Sequence, residues 1–273
     1  MTAVAPPVRD VARMVRSLDP PESQVLKSEA RTRVWRTLEA GEMARVIKLY
    51  RQRGALTCLR SRLSRFRTER EFRRLQHLTR WDIPCTPPVS WGWNRSAEHG
   101  HHEILVMEEI PNAVRLLEYL GRGIAATELV PLFQIVRRMH ESGFCHQALY
   151  ATNVLVNPRA PVEDRYFIAD VPRSWTFPRS LVGSGAALHD LLDLVLEIEE
   201  AVGPRVEPRI ESVALKHYGI NQTTRARWTE LRERQGDPRS KRTRAIRDLR
   251  IRVHWAFSWA SMWRQRHHPP EAP

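Results

Sequence analysis

The segment from His140 to Asp170 constrains this chain more than any other part of its sequence. An apolar helical stripe, Glu128 to Ser142, leads into a short polar loop, His146 to Asn153, and the loop continues into a strand-like run of valine and leucine. A second strand-like run, Tyr166 to Asp170, follows and ends in a carboxylate. The sequence therefore predicts a helix, loop, strand, strand unit whose polar groups gather in one loop and at one strand end.

The elements on either side of this unit divide into a mostly β half and a mostly helical half. Upstream, β-branched and aromatic runs predict five strands, and an apolar stripe in basic surroundings predicts a helix over 55–80. The predicted strands are Gln24–Leu26, Arg33–Leu38, Arg45–Tyr50, Val89–Trp93 and Glu103–Met107, with Asn94–His102 as a polar loop. Downstream, helices are predicted at Leu116–Leu120, Ala186–Val202, Arg225–Gln235 and Arg244–Arg266.

This order predicts an α+β fold with two lobes, a small antiparallel-sheet N-lobe and a larger helical C-lobe. The expected boundaries are an N-terminal extension over 1–22 with a short helix at Val8–Leu18, the N-lobe over 23–108, the C-lobe over 109–266 and a disordered tail over 267–273. A cleft between two lobes is a common place for a ligand.

Composition limits the compartment and the partners. The three cysteines have no short spacing that would indicate a disulfide framework or a zinc site, and the histidines between 99 and 102 lack further ligands. The chain starts without a signal-peptide pattern and has no apolar run of about 18 residues, so we expect a cytoplasmic protein. The net charge of +13 indicates an anionic partner such as nucleic acid, acidic lipid or phosphorylated sugar. The alternative is an arginine-rich, solvated surface in a chain from a GC-rich genome.

The polar loop resembles the catalytic loop of the protein-kinase superfamily, and within it the lipopolysaccharide (Kdo/heptose) kinase family. The expected loop, H-x-x-G-x-x-H-x-D-L-x-x-x-N-x-L, is matched from His140 to Leu155 except at one position. The Leu149-Tyr150 pair and Glu71-Phe-Arg-Arg-Leu before a proline-rich segment are similar to that family too. The resemblance covers about residues 24–200. It implies a protein-kinase-like fold, ATP and Mg²⁺ as ligands, and a lipopolysaccharide-core sugar or another anionic glycolipid as acceptor.

The resemblance also implies roles for individual residues. Phosphoryl transfer depends mainly on cations and donors held around the phosphates. Lys48 would bind the nucleotide phosphates, Glu71 would orient Lys48, with Glu69 as the alternative, and Asn153 and Asp170 would bind Mg²⁺ through oxygen atoms. The implied catalytic residues are Lys48, Glu71, His146, Asn153 and Asp170, and the implied nucleotide contacts are Lys48, Met107, Glu108, Ile110 and Asp170. The alternative is that Asn153 caps a turn and Asp170 caps a strand end.

The chain departs from the family pattern at three places. The third residue of His146-Gln147-Ala148 is an aspartate in the family, where it positions the attacking hydroxyl and accepts its proton. Val171 and Pro172 follow Asp170 in place of Phe-Gly, and the segment 27–33 replaces a glycine-rich loop. Because Ala148 cannot hold a proton, the chain is interpreted either as a kinase or as a pseudokinase that keeps the nucleotide site and regulates envelope processes.

Two basic segments could bring the protein to an anionic membrane surface at the inner face of the inner membrane. Nine arginines lie between 51 and 74, and Trp255, Trp259 and Trp263 recur on one face of the predicted last helix. The alternatives are a solvated helix face for the first segment and packing on the C-lobe for the second. A third function, nucleic-acid binding, is indicated by charge alone, without a recognisable module.

Overall fold

The computed structural model describes residues 24–28, 32–37, 44–52, 66–96, 100–203 and 209–235. Several predictions fall outside these described residues: the extension over 1–22 with its helix, the first part of the basic helix over 55–65, and the tryptophan-bearing helix and tail over 244–273.

A five-stranded antiparallel sheet forms the N-terminal lobe, in the order β1-β2-β3-β5-β4. Its strands are β1 (Gln24–Ser28), β2 (Thr32–Thr37), β3 (Arg45–Gln52), β4 (Pro88–Ser96) and β5 (Gly100–Glu108). The five predicted strands are confirmed. The predicted loop Asn94–His102 is wrong, because the β4–β5 ladder continues to the pair Ser96 and Gly100. Polar side chains do not interrupt main-chain pairing, so polarity alone overstated this turn.

The helix α1 (Arg67–Arg80) packs against β4 and β5 and is held by both apolar and polar contacts. Phe72, Leu75 and Leu78 recur at helical spacing and are fully buried under the sheet. At its first turn, the Thr68 N–H and hydroxyl donate to Glu103 Oε2 at 3.0 and 3.3 Å. The buried Glu103 carboxylate therefore takes the place of a helix N-cap and fixes where α1 begins.

Helices dominate the C-terminal lobe. They are α2 (Leu116–Leu120), α3 (Val130–Glu141), α4 (Gly185–Val202), α5 (Ile210–Tyr218) and α6 (Gln222–Gln235). Short strands β6 (Val114–Arg115), β8 (Val154–Val156) and β9 (Tyr166–Ile168) form one small sheet, and β7 (Phe144–Cys145) pairs with β10 (Trp175–Thr176). The predicted helices within the described residues are confirmed, whereas α5 was not predicted.

One apolar core runs through both lobes. Phe72 and Leu105 of the N-terminal lobe belong to the same buried cluster as Met139, Leu149 and Leu191 of the C-terminal lobe. This shared core fixes β3 and α1 relative to the loop that follows α3 and to the end of β9. Among the helices that the structure describes, none has the length and apolar character needed to cross a membrane.

Candidate functional site

A lysine between two carboxylates lies where the two lobes meet. Lys48 on β3 donates through Nζ to Glu71 Oε1 on α1 at 2.8 Å and also to Asp170 Oδ1 just after β9. Tyr50, two residues along β3 and on the same face, donates its hydroxyl to Glu71 Oε2 at 2.8 Å. Glu69, the alternative partner, instead pairs with Arg73 at 2.8 Å. The fold thus brings together three residues that are far apart in the sequence.

These contacts determine the charges in the cluster. Burial alone would lower the pKa of Lys48, but the Glu71 carboxylate, followed by Tyr50 and Asp170, raises that pKa well above its ordinary value. Burial would raise the pKa of Asp170, and the Lys48 ammonium outweighs this and lowers it. Burial and the neighbouring Glu71 both raise the pKa of Tyr50, which stays a neutral donor. At neutral pH the cluster therefore holds a cationic Lys48 and an anionic Asp170.

Asn153 lies beside Asp170 because β8 and β9 pair. Val154 is opposite Ile168, and the Ala169 N–H donates to the Asn153 carbonyl at 2.9 Å. The Asn153 side chain donates its Nδ2 to the Ala148 carbonyl at 2.8 Å, so its amide oxygen remains as an acceptor. The Asp170 side chain keeps 46% of its surface exposed, and its φ of +54° is a conformation that non-glycine residues rarely adopt.

Two oxygen-bearing side chains are the right chemistry for a hard divalent cation but too few to hold one. Within the described residues there is no group of three His, Cys, Asp or Glu side chains that could bind a metal ion. Mg²⁺ usually takes one or two protein oxygens and completes its shell with phosphate oxygens and water. Asn153 and Asp170 therefore fit Mg²⁺ that arrives with a phosphate ligand.

The buried Asp190 of α4 holds the loop that carries these residues. Its carboxylate accepts the His146 N–H at 2.6 Å, the Gln147 N–H at 2.8 Å and the Cys145 thiol at 3.2 Å. Burial would raise the pKa of Asp190, but its contact with His140 and these donors lowers it. The carboxylate thereby supports Gln147 at a φ of +62°. Sequence reasoning missed Asp190.

His146 positions the main chain rather than facing the cleft. It is completely buried, and its Nε2 lies 3.0 Å from the Ala169 carbonyl, one residue before Asp170. The structure thus places the His146 ring against the main chain just before Asp170. The catalytic role expected of His146 stays a prediction.

An arginine from α1 holds the segment that replaces Phe-Gly. Arg74 Nη1 donates to the Pro172 carbonyl at 2.6 Å and approaches the Val171 carbonyl at 3.5 Å, and the Ser174 hydroxyl donates to the Val171 carbonyl at 2.8 Å. Burial, with a further effect from Arg70, lowers the pKa of Arg74 to about 10, so it stays charged at neutral pH. This clamp, also missed from the sequence, ties α1 to the chain just after Asp170.

The segment between the lobes offers two main-chain groups to a ligand. Met107 and Ile110 are buried, and the Glu108 N–H is already used by the Pro87 carbonyl at 2.9 Å. Pro87 has no N–H to return this bond, so the Glu108 carbonyl lacks its cross-strand donor. The Ile110 carbonyl accepts from Ala113 at 3.2 Å. Among the described residues, nothing else engages the Glu108 carbonyl or the Ile110 N–H, which leaves an acceptor and a donor suited to the edge of a nucleobase.

Comparisons with known proteins bear on the family and the fold of the chain. The model of the lipopolysaccharide kinase (Kdo/WaaP) family matches residues 9–194, more than half of the 273-residue chain. A solved structure described as "WaaP in complex with acyl carrier protein" is similar with a TM-score of 0.60 and 20% identity, over 83% of this chain and 91% of that chain. At this identity the likeness shows the fold, which is kinase-like with two lobes. A comparison with curated proteins finds no match.

Proposed function

We propose that this chain, which belongs to the lipopolysaccharide kinase (Kdo/WaaP) family, binds ATP with Mg²⁺ between its lobes and phosphorylates a hydroxyl of a lipopolysaccharide-core sugar. The observation that carries the proposal is the contact of Lys48 with both Glu71 and Asp170. This arrangement joins β3, α1 and the end of β9 around one ammonium group, and phosphoryl transfer requires such a fixed cation beside the metal ligands.

Each residue of the cluster has a distinct role in the proposed reaction. Lys48 binds phosphate oxygens, Glu71 holds the ammonium in place, and the oxygens of Asn153 and Asp170 hold the metal. Mg²⁺, when bound, supplies positive charge that offsets the charge of the phosphates. The Glu108 carbonyl and the Ile110 N–H orient the nucleobase at the back of the cleft.

The acceptor hydroxyl meets a site that lacks the family's general base at position 148. Ala148 stands where the family has aspartate, and its carbonyl is engaged by the Asn153 amide. A positioned base contributes about 10²- to 10⁴-fold to a proton transfer, so transfer that depends on positioning and charge alone is slow. The same observation favours a second candidate, a pseudokinase that binds nucleotide without turnover and regulates envelope processes through a partner.

The proposed partners follow from charge and from the structural relative. A net charge of +13 suits an anionic glycolipid acceptor and contact with the inner face of an anionic membrane. It also suits an acidic protein, and the WaaP relative was solved with an acyl carrier protein. We extend that kind of partner to this chain, together with a cytoplasmic location.

Thermal unfolding with and without Mg·ATP tests the nucleotide site. A ligand at 100 times its dissociation constant stabilises a fold by about 2.7 kcal/mol, which raises the melting temperature of a domain this size by about 5 °C or more. Asp170→Ala removes a metal ligand and should abolish the shift, whereas Glu141→Ala, on the exposed end of α3, should keep it. The absence of any shift in the unaltered chain would contradict both candidates.

Restoring the carboxylate separates kinase from pseudokinase. Ala148→Asp should raise phosphoryl transfer to a core-sugar acceptor by about 10²-fold or more, because it returns the group that accepts the hydroxyl proton. Ala148→Asn has the same shape without a base and should leave the rate unchanged. Measurable transfer by the unaltered chain supports the kinase. Nucleotide binding with no transfer in the unaltered chain and transfer in Ala148→Asp identifies a pseudokinase.

A further inference from the structure

We propose that Arg67, the first residue of α1, binds the terminal phosphate of the nucleotide and takes over the task of the missing glycine-rich loop. This inference rests on the proposed function, because it assigns a contact within the same cleft. Neither the motif residues nor the family match assigns a role to this arginine.

The Arg67 guanidinium packs over the Tyr50 ring. The guanidinium carbon lies 4.1 Å from the ring centroid, and Lys48 Nζ lies 5.3 Å from the same centroid. The ring is rigid, since Tyr50 is only 3% exposed and its hydroxyl is held by Glu71. A cation over an aromatic face is held without losing its hydrogen-bond donors. The Tyr50 ring is thus a common neighbour of the two cations.

The main chain around Arg67 is fixed on both sides. Phe66 stacks on Trp93 of β4 with ring centroids 4.8 Å apart, and Thr68 is bound by the buried Glu103. An arginine between two anchored residues loses less conformational freedom when it binds a ligand. The main chain at Arg67 is therefore fixed before a ligand binds, although the Arg67 side chain itself remains exposed.

Arg67 is placed against the electrostatic preference of a helix. The first turn carries the positive end of the helix dipole, which disfavours a cation there. Within the described ranges, the Arg67 guanidinium makes no ion pair or hydrogen bond that would offset this cost, whereas Arg73 of the same helix pairs with Glu69. A cation held at an unfavourable end of a helix, with no carboxylate bonded to it among the described residues, is suited to bind an anion.

The charge of the cleft shows why a further cation is needed. Lys48 is shared between the Glu71 and Asp170 carboxylates, so these three groups together carry a net negative charge. Arg67 is close enough to Asp170 to help lower the pKa of that carboxyl, after the larger effect of Lys48. Adding Arg67 brings the group to neutrality, and its planar donors match the oxygens of a phosphate.

A series of nucleotides tests the assignment. Dissociation constants for Mg·ATP, Mg·ADP and adenosine are measured by calorimetry on the full chain and on Arg67→Gln, Arg67→Lys and Arg73→Gln. Arg67→Gln should weaken Mg·ATP binding about tenfold or more, because the lost bond joins two charged groups. Mg·ADP should lose less, and adenosine should bind unchanged. Arg67→Lys keeps the charge without the planar guanidinium, so its Mg·ATP affinity should lie between those of the unaltered chain and Arg67→Gln. Arg73→Gln should bind Mg·ATP as the unaltered chain does.

The outcomes separate this inference from the function on which it rests. An Mg·ATP affinity of Arg67→Gln within twofold of the unaltered chain would overturn the inference alone. An equal loss of affinity for adenosine and Mg·ATP would also overturn it, since that result indicates a disturbed fold rather than a lost phosphate contact. If the unaltered chain binds none of the three ligands, the proposed function fails and the role of Arg67 fails with it.

Discussion

Replacing Asp190 by alanine should destabilise the C-terminal lobe far more than its position outside the cleft would indicate. The Asp190 carboxylate is 2% exposed and accepts two main-chain N–H groups, from His146 and Gln147. In Asp190→Ala the buried His146 N–H and the part-buried Gln147 N–H both lose their acceptor, at about 1–3 kcal/mol each. The expected loss is about 3–5 kcal/mol, a large part of the 5–15 kcal/mol that stabilises a typical domain.

Urea unfolding followed by circular dichroism measures this loss. With a slope of about 3 kcal/mol/M, the urea midpoint should fall by about 1–1.7 M. Asp190→Asn keeps the shape and one acceptor oxygen, so its loss should be smaller. Glu200→Ala, at an exposed position of the same helix, controls for changes in α4 itself. A loss below about 1 kcal/mol in Asp190→Ala would refute the assignment of Asp190 as the support of the loop.

Three further predictions concern Gly143, Arg74 and His77. Gly143→Ala should lower the free energy of unfolding by more than about 1–2 kcal/mol, since φ is +78° and the new Cβ would lie 2.2 Å from a main-chain oxygen. Gly123 has a similar φ of +76° but open space around it. In the same urea assay, Gly123→Ala should therefore lose only the cost of the left-handed conformation, about 1–2 kcal/mol. Arg74→Gln should lower the free energy of unfolding by about 1–3 kcal/mol because it removes a charged donor from the Pro172 carbonyl, and an unchanged midpoint would contradict the clamp. Burial lowers the pKa of His77 from 6.5, so the unfolded chain binds more protons than the folded chain at acidic pH. The free energy of unfolding should therefore fall as the pH drops from about 7 to 5. His77→Asn should flatten this part of the plot of stability against pH.

The elements whose residues form one clear pattern could be predicted from the sequence. The β-branched and aromatic run in β3 predicts a strand and the apolar stripe in α1 predicts a helix, and the structure has both. The short helix α5 escaped prediction, because nine residues near prolines give the helical period little length to stand out. Asn94–His102 failed for the opposite reason, because its polar composition was taken for a turn although main-chain pairing continues.

Some residues of the candidate site could be predicted from the sequence, and others could not. Lys48, Glu71 and Asp170 stand out because their spacing resembles a known motif, and the structure places them in contact. Arg67 and Arg74 could not be selected among nine arginines of one basic segment, since only their contacts in three dimensions distinguish them. Asp190 did leave a signal. Asp190 lies among the leucines of α4, where a carboxylate is rarely buried unless it is bound, so it marks a hydrogen-bond network.

The buried Lys48–Glu71 pair is itself an argument for ligand binding. Buried ion pairs contribute little to stability compared with apolar residues of similar volume, and replacing a whole pair is often neutral or stabilising by about 1–4 kcal/mol. Lys48→Met, Tyr50→Phe and Glu71→Leu together remove the pair and the hydroxyl that depends on it. We expect this triple variant to unfold at the same or a higher urea concentration and to lose the shift in melting temperature with Mg·ATP. Lys48→Met alone should lose about 3–5 kcal/mol, because it leaves the Glu71 carboxylate buried without its cation. If the triple variant were as unstable as Lys48→Met, the Lys48–Glu71 pair would itself stabilise the fold. The presence of the pair would then no longer indicate a nucleotide site.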